Sequence, residues 1–291
     1  MSGAARAQDS GVLGRLKSDQ PLVAVELRPP KLGMSAAKSM DTWIDMYHAV
    51  RRLGREDSLV FLTDNAVGES EEENLNHLTS NFAGETDHTR LVPFLTCKHS
   101  LEYCLMYATR AASFGFEALT VLGGDRTVGP ARCVDYAYML RAMIRERVPT
   151  LNLGGWANPH RDPEEQAAYL AADTFHADFY LTQVVSHHAI RQVERFVETV
   201  RRRDVSHPAV FGVFLYRSAN PRTFQRLERF FPVPVEGVTR EFEAGDGPIE
   251  IAARTIRRLR EVGVDKVYVS NLGFRKPAQR YRHLLEAVGS A

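Results

Sequence analysis

Glu26 lies in the stretch LVAVELRPPK, Leu22 to Lys31, where a glutamate and an arginine interrupt an apolar run and two prolines end it. A carboxylate in apolar surroundings loses hydration, which raises its pKa, and a carboxyl group protonated at neutral pH is a competent general acid. The same spacing also allows an interior ion pair of Glu26 with Arg28 or Lys31, and local sequence leaves both readings open. Asp125 follows Gly123 and Gly124 directly in LGGDR. Paired glycines let a flat ligand approach the backbone, and an acceptor-only carboxylate beside them can hold the amino-amide edge of a heterocycle. An ordinary turn in which Asp125 caps the next loop fits as well. A second glycine pair precedes Trp156 in LGGW, where the indole offers a stacking surface or a cover for the barrel rim. Gln183 sits in apolar FYLTQVV, and its amide must find partners in a ligand or on a neighbouring strand.

Other chemistries find less support. His187-His188 and His160 (in NPHRD) lack a metal-site spacing such as HExxH, so no metal is expected. GxSxG, the P-loop and GxGxxG are absent, which leaves acyl transfer and nucleotide hydrolysis without a motif. Lys98, just past the third β-rich run, is the nearest candidate for a Schiff-base lysine and reads as a solvated loop residue. Cys97, Cys104 and Cys133 are odd in number and without CxxC spacing, which suits a reducing compartment rather than a disulfide framework.

The elements that must position these residues alternate. Short β-rich runs start at Leu22, Ser58, Arg90, Ala118, Thr150, Asp178, Ala209 and Lys266, with amphipathic stretches such as Leu101–Phe114 and His188–Arg202 between them. Eight strand–helix beats in 291 residues predict an α/β fold, a single-domain (β/α)₈ TIM barrel. Residues 1–20 read as an N-terminal arm and 21–291 as the barrel. Barrel active sites lie at the C-terminal strand ends, which here carry Glu26, Thr63-Asp64-Asn65, Thr96-Cys97, Gly123-Gly124-Asp125, Trp156, Gln183, Tyr216 and Ser270-Asn271. Period-two alternation points Ala24, Glu26 and Arg28 inward if Val23, Val25 and Leu27 face the helices.

Composition narrows the partners. Lys plus Arg (37) nearly balances Asp plus Glu (36), and a net charge of +1 gives no electrostatic case for nucleic acid or an acidic membrane. No apolar run approaches the ~20 residues of a membrane span, and the N-terminus lacks a signal-peptide core. A cytoplasmic protein is expected, with a homo-oligomer left open.

In order along the chain, several stretches resemble the catalytic barrel of the methylenetetrahydrofolate reductase family. VELRPPK (25–31) resembles the family's FEFFPPK, FLTC (94–97) its HLTC, and LGGDRT (122–127) its LRGDPP. GGWANPHRDP (154–163) resembles GGYPEGHP, LTQVV (181–185) the ITQ stretch and VYVSNLG, more loosely, FYTLN. The resemblance spans about Val23 to Leu272. It implies interconversion of 5,10-methylenetetrahydrofolate and 5-methyltetrahydrofolate by hydride transfer, with FAD as cofactor and NAD(P)H as reductant. It makes Glu26 the acid that protonates the departing nitrogen of the folate's bridging ring. It assigns Asp125 and Gln183 to the folate and flavin site, and Thr63, Thr96, Gly123, Gly124, Trp156 and His160 to the cofactor lining. A phenylalanine that the family uses after the seventh strand aligns with Phe224 or Leu227.

The departures concern the cofactor. Gly123 replaces the arginine of LRGD, Phe94 replaces the histidine of HLTC, and AAYLAADTFHAD (167–178) lacks the basic pair of the family's helix before the sixth strand. Diphosphates bind best to cations or helix N-termini. Arg126, Arg132 and Arg161 are the candidates to compensate. Two routes follow: NAD(P)H reduces FAD, or NAD(P)H delivers hydride directly. The alternative is a non-catalytic folate-binding paralogue or a subunit that depends on a partner.

Overall fold

The computed structural model describes residues 11–64, 88–126 and 129–289. Asn65 and Thr127 lie outside them, as do residues 1–10 of the expected arm. Eight parallel strands close into a barrel in sequence order: β1 (Leu22–Leu27), β2 (Val60–Leu62), β3 (Leu91–Thr96), β4 (Ala118–Leu122), β5 (Asn152–Ala157), β6 (Phe179–Val185), β7 (Ala209–Phe214) and β8 (Lys266–Ser270). β8 returns to β1 through the register Leu22↔Lys266 to Val25↔Val269. The fold is a (β/α)₈ TIM barrel.

Helices cover the outside: α2 (Ala36–Arg55), α3 (Leu101–Ser113), α4 (Ala137–Arg147), α5 (Pro163–Ala171), α6 (Ile190–Arg202), α7 (Pro221–Leu227), α8 (Val235–Glu243), α9 (Pro248–Glu261) and α10 (Pro277–Gly289). Their starts follow local chemistry. Ser100 caps α3 by accepting from the Tyr103 N–H, Asp162 caps α5, and Asn220 caps α7, the last two with proline in the first turn. Among the described residues no helix is long and apolar enough to cross a membrane.

Strand alternation sorts the core into two shells. Val23, Val25 and Leu27 pack outward against helix residues such as Trp43 and Met46. Ala24 joins Phe61, Val92, Phe94, Phe179, Leu181 and Tyr268 inside the barrel. Inside, the Tyr268 hydroxyl donates to the Thr182 carbonyl at 2.7 Å, so the buried phenol is satisfied. The end of the arm is part of this interior. Helix α1 (Val12–Lys17) buries Val12 and Leu16 in the same cluster, and the Val12 N–H bonds Glu117 Oε2 at 3.1 Å. The i, i+4 pair Val12/Leu16 thus closes the N-terminal end of the barrel and leaves the C-terminal end open.

Candidate functional site

A cleft of about 1420 Å³ opens at the C-terminal ends of the strands. Every strand end reaches it: Glu26, Thr63 and Asp64, Thr96, Gly123 to Asp125, Trp156, Gln183, Phe214 and Ser270. Of the residues singled out in the sequence, Glu26, Thr63, Thr96, Gly123, Gly124, Asp125, Trp156 and Gln183 line it together. His160 does not. One ring nitrogen, Nε2, is 2.8 Å from the Val184 carbonyl and the other, Nδ1, 3.4 Å from Gln192 Oε1, which ties the ring to the β6–α6 side outside the cleft wall.

Glu26 sits partly buried on the floor. Ser270, at the end of β8, donates its hydroxyl to Glu26 Oε1 at 2.7 Å. Burial raises the Glu26 pKa, and the Ser270 bond and the Arg28 charge only partly offset it. Arg28 also lines the cleft, so the ion pair envisaged from sequence acts as a moderating charge and not as the dominant influence.

The other polar groups are partly committed to the protein. Gln183 sits where the β6–β7 register shifts between Leu181 and Val184. Its Oε1 accepts from the Val184 N–H at 2.9 Å and its Nε2 donates to the Phe230 carbonyl at 3.3 Å. The Thr96 hydroxyl donates to Asp64 Oδ2 at 2.9 Å, which also accepts from the Thr96 N–H and faces His99 Nε2 at 2.8 Å. Asp64 is therefore a buried carboxylate anchoring the β2–β3 rim.

The glycine pairs do different work. A Cβ on Gly154 would lie 2.6 Å from the Phe179 ring, and one on Gly155 would lie 2.4 Å from the Phe175 ring. These two glycines make room for core aromatics, while Trp156 beside them lines the cleft. At Gly123 a Cβ would lie 2.6 Å from the Arg132 guanidinium carbon. Arg132 thus puts its guanidinium where a side chain at position 123 would begin. It donates to the Gly124 carbonyl at 2.5 Å, and its buried Nε has no partner. Arg132 is the one compensation candidate of the three that is brought onto Gly123.

Residues that sequence reasoning did not select complete the wall. Arg141 is almost wholly buried, and its guanidinium donates to the carbonyls of Phe175 and Val121 and to the Tyr169 hydroxyl. Leu227 reaches the cleft, whereas Phe224 packs under Tyr216 and Val238. Lys98 is buried, not solvated: its Nζ donates to the Pro130 carbonyl at 2.9 Å, and it does not line the cleft. The three cysteines are free, and burial pushes the Cys97 thiol up to about 11, away from thiolate chemistry at neutral pH.

Away from the cleft, His187, His188 and Glu241 form the one group among the described residues with metal-ligand proximity. Each Nε2 lies 3.0 Å from a Glu241 oxygen, and Arg254 pairs with the same carboxylate. The cluster is satisfied as a hydrogen-bonded tie between the β6 end, α8 and α9.

No protein-family model matches the chain, and no curated protein matches it by sequence. Its fold is similar to that of an uncharacterised protein from Clostridium thermocellum that binds two copies of 5-methyl-5,6,7,8-tetrahydrofolic acid. The TM-score is 0.69 and the identity 12%, over 98% of both chains. A dihydrodipicolinate synthase overlaps more loosely, with a TM-score of 0.49 and 10% identity over 93% of this chain and 76% of the other.

Proposed function

We propose that the chain binds a reduced folate in the cleft and interconverts 5,10-methylenetetrahydrofolate and 5-methyltetrahydrofolate, with Glu26 as the proton donor. The observation that carries this reading is the raised pKa of Glu26 on the floor of a cleft also lined by Asp125, Gln183 and Trp156. The folate-binding neighbour with the same fold supports the ligand class.

The chemistry asks for a carboxyl group that holds its proton at neutral pH. The bridging ring opens to an iminium when the departing nitrogen is protonated, and hydride then adds to the exposed carbon. Glu26 would give that proton, and the Ser270 hydroxyl fixes the orientation of its carboxyl group. Asp125 accepts hydrogen bonds from the amino-amide edge of the pterin, and Trp156 offers a flat apolar face. The residues fit a phosphate-bearing cofactor such as FAD at one point, Arg132, whose Nε lacks a partner beside Gly123. A bound flavin would relay hydride from NAD(P)H. Without one, NAD(P)H is the direct donor.

The test is the absorption spectrum of the purified protein, followed by oxidation of NAD(P)H in the presence and absence of methylenetetrahydrofolate. Folate-dependent oxidation is expected; its absence with both nicotinamides, with and without added FAD, would sink the catalytic reading. A second reading, a non-catalytic folate binder, draws on Gln183, whose amide is already held by Val184 and Phe230. It expects folate binding without turnover.

A further inference from the structure

His187 and His188 stand in the 3₁₀ turn His187–Ala189 that follows β6, and both rings face Glu241 on α8. The ring centroids are 4.0 Å apart, and Nε2 of each ring lies 3.0 Å from its own Glu241 oxygen. The His187 and Glu241 side chains are 11% and 10% exposed, and that of His188 25%. Gly237 on α8 makes room for His188, since a Cβ there would lie 2.6 Å from His188 Nδ1. The other nitrogen of His187 decides the chemistry. The Thr255 hydroxyl, on α9, gives its hydrogen to the Ile251 carbonyl at 3.3 Å, so it accepts from His187 Nδ1 at 2.8 Å. A neutral His187 then carries its hydrogen on Nδ1 and turns the bare lone pair of Nε2 towards a carboxylate oxygen. Hydrogen bonding alone closes that contact only with a fully charged imidazolium, packed against the His188 ring and beside Arg254.

We propose that His187 Nε2, His188 Nε2 and the Glu241 carboxylate form a binding site for a divalent cation of the zinc type, which ties the end of β6 to α8 and α9. Two imidazoles and one carboxylate are a donor set suited to such a cation, with water completing the shell. The three ligand atoms already lie within 4.8 Å of one another. Bonds of roughly 2.1 Å put tetrahedral ligand atoms about 3.4 Å apart, so the 3.0 Å contacts need to open only slightly. Thr255 is the outer partner of a ligating histidine: by taking the Nδ1 hydrogen it fixes the tautomer and aims Nε2. Arg254 does not have to leave. Its Nη1 also holds Asp246 Oδ2 at 2.9 Å, which keeps the guanidinium paired when Glu241 turns to the cation. None of the three ligands lines the cleft, and the exposed edge of His188 gives the cation a path from solvent. The site is a clip, independent of the folate reading. Helix α8, which it holds, follows closely on the segment whose Leu227 and Phe230 line the cleft wall.

The experiment strips the full-length protein with a chelator, then titrates it with Zn²⁺ by calorimetry and with Co²⁺ by absorption. A single Zn²⁺ per chain should bind, and at about a hundredfold its dissociation constant the Tm should rise by about 5 °C. His188→Ala and Glu241→Gln should weaken binding by about 100-fold or more, and Thr255→Val, which keeps all three ligands, by about tenfold. Co²⁺ should give the visible bands of a nitrogen–oxygen site without the thiolate charge-transfer band that Cys97, Cys104 or Cys133 would add. Absence of Zn²⁺ binding overturns the proposal, as does an affinity unchanged in His188→Ala and Glu241→Gln. If those variants do not fold, Thr255→Val decides by the same measure. A thiolate band that accounts for the bound Co²⁺ assigns the metal to the cysteines and overturns the proposal too.

Discussion

Replacing Glu26 by glutamine separates its chemical role from its structural cost. The amide keeps the volume and the oxygen that accepts from Ser270 at 2.7 Å, but it cannot ionise. Glu26 titrates above its ordinary value near 4.5 in the folded protein because burial outweighs both the Ser270 bond and Arg28. An acid with a higher pKa folded than unfolded takes up a proton on folding. Its contribution to stability is therefore eroded as pH rises from the unfolded value through the folded one, and the penalty is complete above that. Each unit of elevation corresponds to about 1.4 kcal/mol. Urea unfolding of Glu26→Gln and native protein should thus give similar stabilities at about pH 4, a growing advantage for the variant through the window, and a constant gap beyond it. Over the same range, folate-dependent NAD(P)H oxidation should fall by roughly 10² to 10⁴, the usual weight of a general acid, with folate affinity largely kept. Near-native turnover would remove Glu26 as the acid. A stability difference that does not change with pH would remove the raised pKa, and with it the reason to expect a protonated donor.

Other expectations follow from individual contacts. Gly123→Arg alone should cost about 1–3 kcal/mol through overpacking against Arg132; combined with Arg132→Ala it should regain most of that loss in thermal melts, because the guanidinium space is vacated. Leu16→Ala should cost about 2–4 kcal/mol in denaturant unfolding, as expected of a leucine buried inside the barrel. Burial alone would raise the Glu241 pKa, yet the hydrogen bonds from His188, His187 and Arg254 hold it below its ordinary value near 4.5. The stability it contributes is present above that value and lost as pH falls through the lowered one. Glu241→Gln should accordingly flatten the acid limb of the stability profile, measured by urea midpoints between about pH 3 and pH 6.

The barrel was legible because its signals are local. β-branched runs such as LVAVEL became strands with little change of boundary, and period-two alternation assigned Ala24 and Val25 to opposite faces correctly. Strand ends then gathered into one cleft by topology alone, bringing Glu26, Asp125 and Gln183 to a common wall although about a hundred residues separate some of them. What failed depended on packing between distant segments. GlyGly before Trp156 gave no hint that Phe175 and Phe179 fill its space. Lys98 looked like a solvated loop residue because nothing nearby in sequence announces the Pro130 carbonyl that receives it. For α1 a signal existed: Val12 and Leu16 stand one helical turn apart, the spacing of a buried face.

The cofactor question shows why position in an alignment is a poor measure of charge in space. Gly123 lacks the arginine expected beside a phosphate, yet the guanidinium of Arg132 comes to rest over it from nine residues further along the chain. That charge is already engaged with the Gly124 carbonyl, although one buried donor is spare. Arg141, the other buried cation nearby, spends donors on two carbonyls and a tyrosine hydroxyl. The β4–β5 side therefore offers one cation with a donor in reserve.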